Sequence, residues 1–217
     1  MELEINNFNV DYHFASPVFR YQKTEFLNSV KSVFNEYVDR EKVKKDLNNP
    51  YPGIMTESLS KDERIEPFLK YVSDISWDVL NKQGYDMDLF YTDASEMWGQ
   101  YHPFSSSMDK HSHGQGSYLT GFYFLDTPEN SSTMLIHDPC LTKSIINLPI
   151  RQTENLTNAF PTVFYNPKPG DLFFTNSWIE HSFTRNASQL PYNFIHINVK
   201  VVLRQNNVTQ KDSPIIV

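Results

Sequence analysis

The hydrophobic period of this chain changes once, near residue 89, and does not change back. Before that point apolar residues recur every three or four positions. Over 24–40, Leu27, Val30, Phe34 and Tyr37 form one stripe, with Lys31, Glu36 and Asp39 on the other side. Over 66–82 the stripe is Phe68, Leu69, Val72, Ile75 and Val79. That period is the signature of amphipathic helices. Pro67 suits the first turn of the second helix and Gly84 its stop. Asn48-Asn49-Pro50-Tyr51-Pro52-Gly53 between the two reads as a loop. After residue 89 the segments Ser95–His102, Ser117–Leu125, Thr133–His137, Asp171–Thr175 and Phe194–Leu203 are rich in β-branched and aromatic residues. They are punctuated by Pro128-Glu129-Asn130, Asn166-Pro167-Lys168-Pro169-Gly170 and Asn186-Ala187-Ser188, so they read as strands. Helices first and strands after predict an α+β domain, its helices packed on one face of an antiparallel sheet or barrel.

A chain of 217 residues suits one domain. Its expected parts are a helical flank over 1–88, a core over 89–204 and a loosely held tail over 205–217. Lys and Arg total 19 against 26 Asp and Glu, a net charge of −7, which argues against a nucleic-acid-coating face. The single cysteine, Cys140, excludes an internal disulfide and a cysteine-based zinc module. With no base or helix N-terminus near it in sequence, its thiol reads as inert. No apolar run approaches the ~20 residues of a membrane span. The start, Met1-Glu2-Leu3-Glu4, has no apolar leader core. The expected location is therefore cytoplasmic, and the Asn-x-Ser/Thr triplets at Asn130, Asn155, Asn186 and Asn207 read as accidents of composition.

Seven histidines then carry the chemistry. His111 and His113 are two apart in Asp109-Lys110-His111-Ser112-His113-Gly114. On an extended segment both imidazoles face one point. His181 closes the run from Lys168 through Trp178-Ile179-Glu180, a turn followed by an apolar strand. Singly, each would read as a solvated or strand-end histidine. Together they form a facial three-ligand layout that leaves metal positions open.

The chain resembles the iron(II)- and 2-oxoglutarate-dependent oxygenases, in the prolyl-4-hydroxylase-like branch found in phage and marine bacteria. The resemblance spans about 90–203. It rests on His111-Ser-His113, Thr120-Gly-Phe-Tyr-Phe-Leu125, Leu135-Ile-His-Asp-Pro139, Pro169-Gly-Asp-Leu-Phe-Phe through Trp178-Ile-Glu-His181, and Phe194-Ile-His-Ile-Asn198. It implies a double-stranded β-helix, or jelly-roll, core flanked by N-terminal helices, with the metal in the barrel mouth. It further implies Fe(II) and 2-oxoglutarate as cofactors, and hydroxylation of a C–H bond in a protein side chain or a small molecule.

Two departures stand out. The family's first motif is His-x-Asp/Glu, and here it is His111-x-His113. A neutral imidazole replaces a hard anionic donor. His113 takes the motif position, with Asp109 or Asp138 as alternative carboxylates. The family also anchors the far carboxylate of 2-oxoglutarate with an arginine, through bidentate pairing. The matching stretch, Pro191–His196, has no basic residue. Lys200, Arg185 and Tyr123 are the candidate contacts for the co-substrate, with Arg151 on a neighbouring connection. Lys200 shares strand parity with His196 and Asn198.

Trp178, Phe124, His196 and Asn198 are the expected pocket residues, although Trp178 and His196 also suit a core. His137 and His196 are candidates to support the metal ligands from behind, and His13 and His102 have no assigned role. Asn147–Pro167 reads as one long irregular loop, a lid or partner surface. A second reading keeps the jelly roll as a non-catalytic structural or interaction module, in an oligomer or a virion. Its location would then be the host cytoplasm or the virion.

Overall fold

The structure, a computed structural model, describes residues 13–44, 51–114, 116–146, 148–151 and 156–204. The start at Met1–Glu4, the loop residues 48–50, Asn155, Asn207 and the 205–217 tail lie outside the described residues.

Two helices precede most of the sheet. α1 (Leu27–Lys44) follows a 3-10 turn at Thr24–Phe26 and runs beyond the expected end at residue 40. It buries Val30, Val33, Phe34, Tyr37 and Val38. Lys31 is not on a free polar face, because its ammonium pairs with Asp126. α2 (Glu66–Lys82) has the expected bounds and buries Phe68, Val72, Val79 and Leu80. Gly84 ends it at φ +96°, in the left-handed region where a Cβ would be strained.

Among the described residues, ten strands make two antiparallel sheets. The larger has the order β1-β8-β5-β10-β3-β2, where β1 is Val18–Gln22, β2 Ile54–Ser58, β3 Phe90–His102, β5 Leu119–Asp126, β8 Asp171–Asn176 and β10 Tyr192–Leu203. The smaller has the order β4-β9-β6-β7, where β4 is Met108–His111, β6 Met134–His137, β7 Thr162–Tyr165 and β9 His181–Phe183. The five strands expected from the sequence, β3, β5, β6, β8 and β10, are all present, with β3 beginning earlier, at Phe90, than the expected Ser95. The short strands β1, β2, β4, β7 and β9 do not stand out by composition. β1 and β2 form the two edges of the larger sheet, so the segment before residue 89 is not only helical. β7 also interrupts the expected long loop.

Alternation along the strands separates two cores. On β5, Leu119, Tyr123 and Leu125 face the helices, in a cluster with Phe34, Phe68 and Val72. Phe122 and Phe124 point the other way, into a cluster with Phe173, Phe194 and Tyr192 of the same sheet and Met134, Ile136 and Phe183 of the smaller one. β5 is covered on both faces and carries a continuous apolar run from Gly121 to Leu125, as suits a central strand. The aromatic inner core holds the two sheets apart as the layers of a jelly roll, and one end of that gap is the site.

Candidate metal centre

Pairing of two short strands builds half of the site. β4 and β9 run antiparallel with His111 opposite His181, and the two ring centroids lie 4.5 Å apart. Beyond β4 the chain stays extended. The His113 amide donates to the Ser177 carbonyl at 2.9 Å, and this bond returns the second imidazole to the same point. His113 is stacked parallel to His181 at 5.3 Å and sits 5.0 Å from His111. The larger sheet supplies a fourth ring. His196 on β10 lies 4.6 Å from His113 and 5.8 Å from His181. One ligand nitrogen from each of His111, His113, His181 and His196 lies within 4.8 Å of the others.

The hydrogen bonds leave lone pairs facing that point. His111 Nδ1 is 2.7 Å from the Asp109 carbonyl, which can only accept, so the proton sits on Nδ1. His181 Nδ1 makes a longer 3.4 Å contact of the same kind with the Ile179 carbonyl. Backbone carbonyls thus set the tautomer, as they do behind many metal-binding histidines. The Nε2 atoms of His113 and His181 are buried and have no partner, and neither nitrogen of His196 has one. Burial and the neighbouring rings hold His113, His181 and His196 uncharged. His113 is pushed down to about 4, chiefly by burial and then by His111, with Glu96 opposing. His181 is pushed down to about 3, by burial and then by His111 and His113. Burial also carries His196 well below the ordinary value. Four converging imidazoles with unused nitrogens, three of them held uncharged, fit a divalent transition metal. Bonds of ~2.0–2.1 Å would keep any two of these nitrogens within about 4.2 Å, so small side-chain rotations must close the group around an ion.

Several expected residues stand elsewhere. The Asp109 carboxylate is exposed, and only its carbonyl serves the site. Asp138 accepts from Lys143 and from the Cys140 amide. Neither carboxylate joins the histidines, because both are turned outward by the strand pleat or a turn. Tyr123 faces the helices, where its hydroxyl donates to the Lys23 carbonyl at 2.6 Å. It therefore cannot touch a ligand in the barrel. Phe124 lies inside, but its ring neighbours are Phe173, Phe183, Tyr192 and Phe194. The ring against the site is Phe122, 4.9 Å from His181 and 5.0 Å from His196. Trp178 is 49% exposed, and so belongs to neither core nor wall. Arg185 and Arg151 are exposed.

The β-bulge opposite Asn198 and Lys200 lies on β3, where Glu96 to Asp93 spans one residue more, so Lys200 keeps its parity with Asn198. The Lys200 ammonium is held by Glu96, which also accepts from the Asn198 amide at 3.3 Å. Among the described residues, the charges acting on His113, His181 and His196 are those of the neighbouring imidazoles, Glu96 and His137. No lysine or arginine is among them. His137 is a structural histidine, with Nδ1 against Thr162 Oγ1 and Nε2 against Ser182 Oγ.

The sequence passed over Trp98, whose indole stacks on His196 at 4.4 Å and 12°. It also passed over a polar row on the inner face of the larger sheet. Asn198, Thr120 and Thr175 are register partners across β10, β5 and β8, two residues along from His196 and Phe122. The Oγ1 atoms of both threonines and Oδ1 of Asn198 are buried and unpartnered. Cross-strand parity was the available signal, once the inward face of β5 is known.

Residues 96–193 match the family model described as "Putative 2OG-Fe(II) oxygenase". No curated protein matches the chain. Three solved structures resemble it in fold. A prolyl-4-hydroxylase from Pseudomonas putida is 10% identical, with a TM-score of 0.55 over 85% of this chain and 92% of that one. The epimerase SnoN from nogalamycin biosynthesis, solved with Fe3+, alpha ketoglutarate and nogalamycin RO, is 13% identical, with a TM-score of 0.53 over 92% and 86%. HygX from Streptomyces hygroscopicus, solved with nickel and 2-oxoglutarate, is 10% identical, with a TM-score of 0.55 over 85% and 83%. The shared architecture is the jelly-roll core.

Proposed function

We propose that this chain, whose residues 96–193 match the 2OG-Fe(II) oxygenase family model, is an oxygenase of that family that holds Fe(II) on His111, His113 and His181 and oxidises a C–H bond of its substrate. The observation that carries the reading is the set of converging, unpartnered imidazole nitrogens between the two sheets. Bound Fe(II) with 2-oxoglutarate supplies oxygen activation through decarboxylation of the co-substrate. The protein's part is positional. His111 and His181 are oriented by carbonyls. Phe122 and Trp98 wall the site with apolar surface and keep water from it.

The two departures from the family pattern offset one another in charge. An imidazole in place of a carboxylate leaves one more positive charge on the metal side. The missing arginine removes one from the far side. The net charge offered to a dicarboxylate is therefore unchanged, but it is concentrated at the ion. We propose that the far carboxylate accepts hydrogen bonds from the Thr120 and Thr175 hydroxyls, which have no other partner. We further propose that the substrate lies in a groove of about 600 Å3 lined by Met55, Ser58, Ser60, Lys61, Glu96 and Trp98. Trp98 and Glu96 face both this groove and the histidines. The quoted motifs support the phage and marine-bacterial branch and action in a cytoplasm, as finer parts of the same proposal. Among the described residues no helix is long and apolar enough to cross a membrane.

The test is 2-oxoglutarate-dependent succinate formation by anaerobically purified, Fe(II)-loaded protein with oxygen admitted. His111→Ala and His181→Ala are expected to abolish metal binding and turnover. Thr120→Val with Thr175→Val is expected to raise KM for 2-oxoglutarate while the metal stays bound. Metal bound with no affinity for 2-oxoglutarate favours the non-catalytic module, whose supporting observation is the absence of a cation beside the imidazoles.

A further inference from the structure

Among the described histidines, His196 alone has both ring nitrogens buried and unpartnered. His137 has partners on both ring nitrogens, and His102 and His111 have one each. His196 is 1% exposed and has none on either nitrogen. A neutral imidazole carries one donor and one acceptor. Leaving such groups unpaired in a protein interior is unfavourable, and native structures rarely do so without a ligand, ion or water. Its place would also suit a phenylalanine. Phe194 and Phe122 are its neighbours on the same inward face. An imidazole among such rings adds nothing to packing that a phenyl would not. It adds a nitrogen lone pair directed toward His113 and His181.

The surroundings fix the ring. Trp98 lies flat on one face of it and Phe122 meets it edge-on at 5.0 Å. β10 holds its backbone between β3 and β5, opposite Trp98 and Phe122. His196 comes from the larger sheet, whereas His111 and His181 come from the smaller. The four nitrogens therefore approach the point from both layers.

We propose that His196 is a fourth imidazole ligand, so that the metal sits in a carboxylate-free, all-nitrogen site. The proposal rests on the metal-binding reading above and deepens it. In an octahedral ion three imidazoles leave three positions open, while four leave two adjacent or opposite ones. Two adjacent positions suit a single bidentate anion, such as the chelating keto and carboxylate oxygens of a 2-oxo acid. A third ligand from solution would enter only when one imidazole leaves. An all-nitrogen shell also favours later first-row ions over manganese and magnesium.

The experiment is X-ray absorption on anaerobic Fe(II)-loaded protein, counting imidazoles from their multiple scattering, with Fe(II) affinity measured in parallel. Wild type is expected to show four imidazoles. His196→Phe, which keeps an aromatic ring in the wall, is expected to show three and to bind Fe(II) at least ~10-fold more weakly. His196→Gln serves as a second variant, and near-ultraviolet circular dichroism checks the fold of both. Three imidazoles in wild type, with affinity unchanged in the folded variants, would overturn the fourth-ligand assignment alone. No bound metal in wild type would overturn it together with the metal-binding reading. The wild-type count decides the question even where both variants misfold.

Discussion

At the scale of single residues, His102 and His196 show how one side chain serves two ends. Both are buried on inward faces of neighbouring strands. His102 packs edge-on against Phe183 and Phe194 at the closed side of the core, with Nε2 3.3 Å from Gln100 Oε1. Burial pushes it down to about 4. The unfolded chain takes up that proton near pH 6.5, before the folded protein does. The resulting stability is therefore complete above 6.5 and is lost as pH falls through 4. It amounts to on the order of 3 kcal/mol. His102→Phe is expected to flatten the acid side of the stability curve, measured as urea midpoints between pH 7 and pH 4.5. An unchanged acid slope would show that His102 does not drive it. His113, His181 and His196 shift in the same direction, so part of the slope persists in the variant. In sequence His196 is a histidine in an apolar strand, which reads as a pocket residue, a support behind the metal ligands or plain core, and not as a ligand. Its role became visible from what it lacks, a partner on either nitrogen.

At the scale of elements, close approach decides the geometry. Gly99 on β3 lies under α1, and a Cβ there would fall 2.6 Å from Phe34, a ring that is 0% exposed. Glycine in a strand often marks such an approach. The Gly99 amide is also held by Thr56 Oγ1 of β2 at 2.8 Å. Gly99→Ala is expected to destabilise the fold by about 1–3 kcal/mol, because the helix must lift or the ring must leave its rotamer. Equilibrium denaturation measures it, and a loss below about 0.5 kcal/mol would mean that Phe34 has room to move. The long elements were legible because each carries a full period of its own. α2 matched at both ends. β4 and β9 were not, since four and three residues are too few for a period. Yet those two strands align His111 with His181. Short strands exist through their partners, and the partners are far away in sequence.

At the scale of the whole molecule, the site belongs to neither sheet alone. Two layers meet over an aromatic core, and the four clustered imidazoles come from both. A bound ion is therefore a cross-link between layers, and it stabilises only the folded state. Fe(II) at a hundredfold excess over its Kd is expected to add about 2.7 kcal/mol and raise Tm, with a chelator reversing the shift. His181→Ala is expected to melt at the same temperature with and without metal. A wild-type Tm indifferent to metal would mean that the ion does not bind the folded protein. The helices take no part in the site. They cover the outer face of the larger sheet and so let β5 be apolar on both sides.

The sequence by itself determined the order of elements, the two amphipathic helices and the three histidines in motif positions. Each of these is local: a period, a cap or a short spacing carries it. The tertiary structure decided which face of each strand looks inward. That choice turned Tyr123 toward the helices, put Phe122 rather than Phe124 at the site, and neutralised Lys200 on Glu96. It also brought His196 across from the other sheet. Strand parity gives two faces and no means to tell them apart. Only the packing of helices on one side and a second sheet on the other breaks that symmetry.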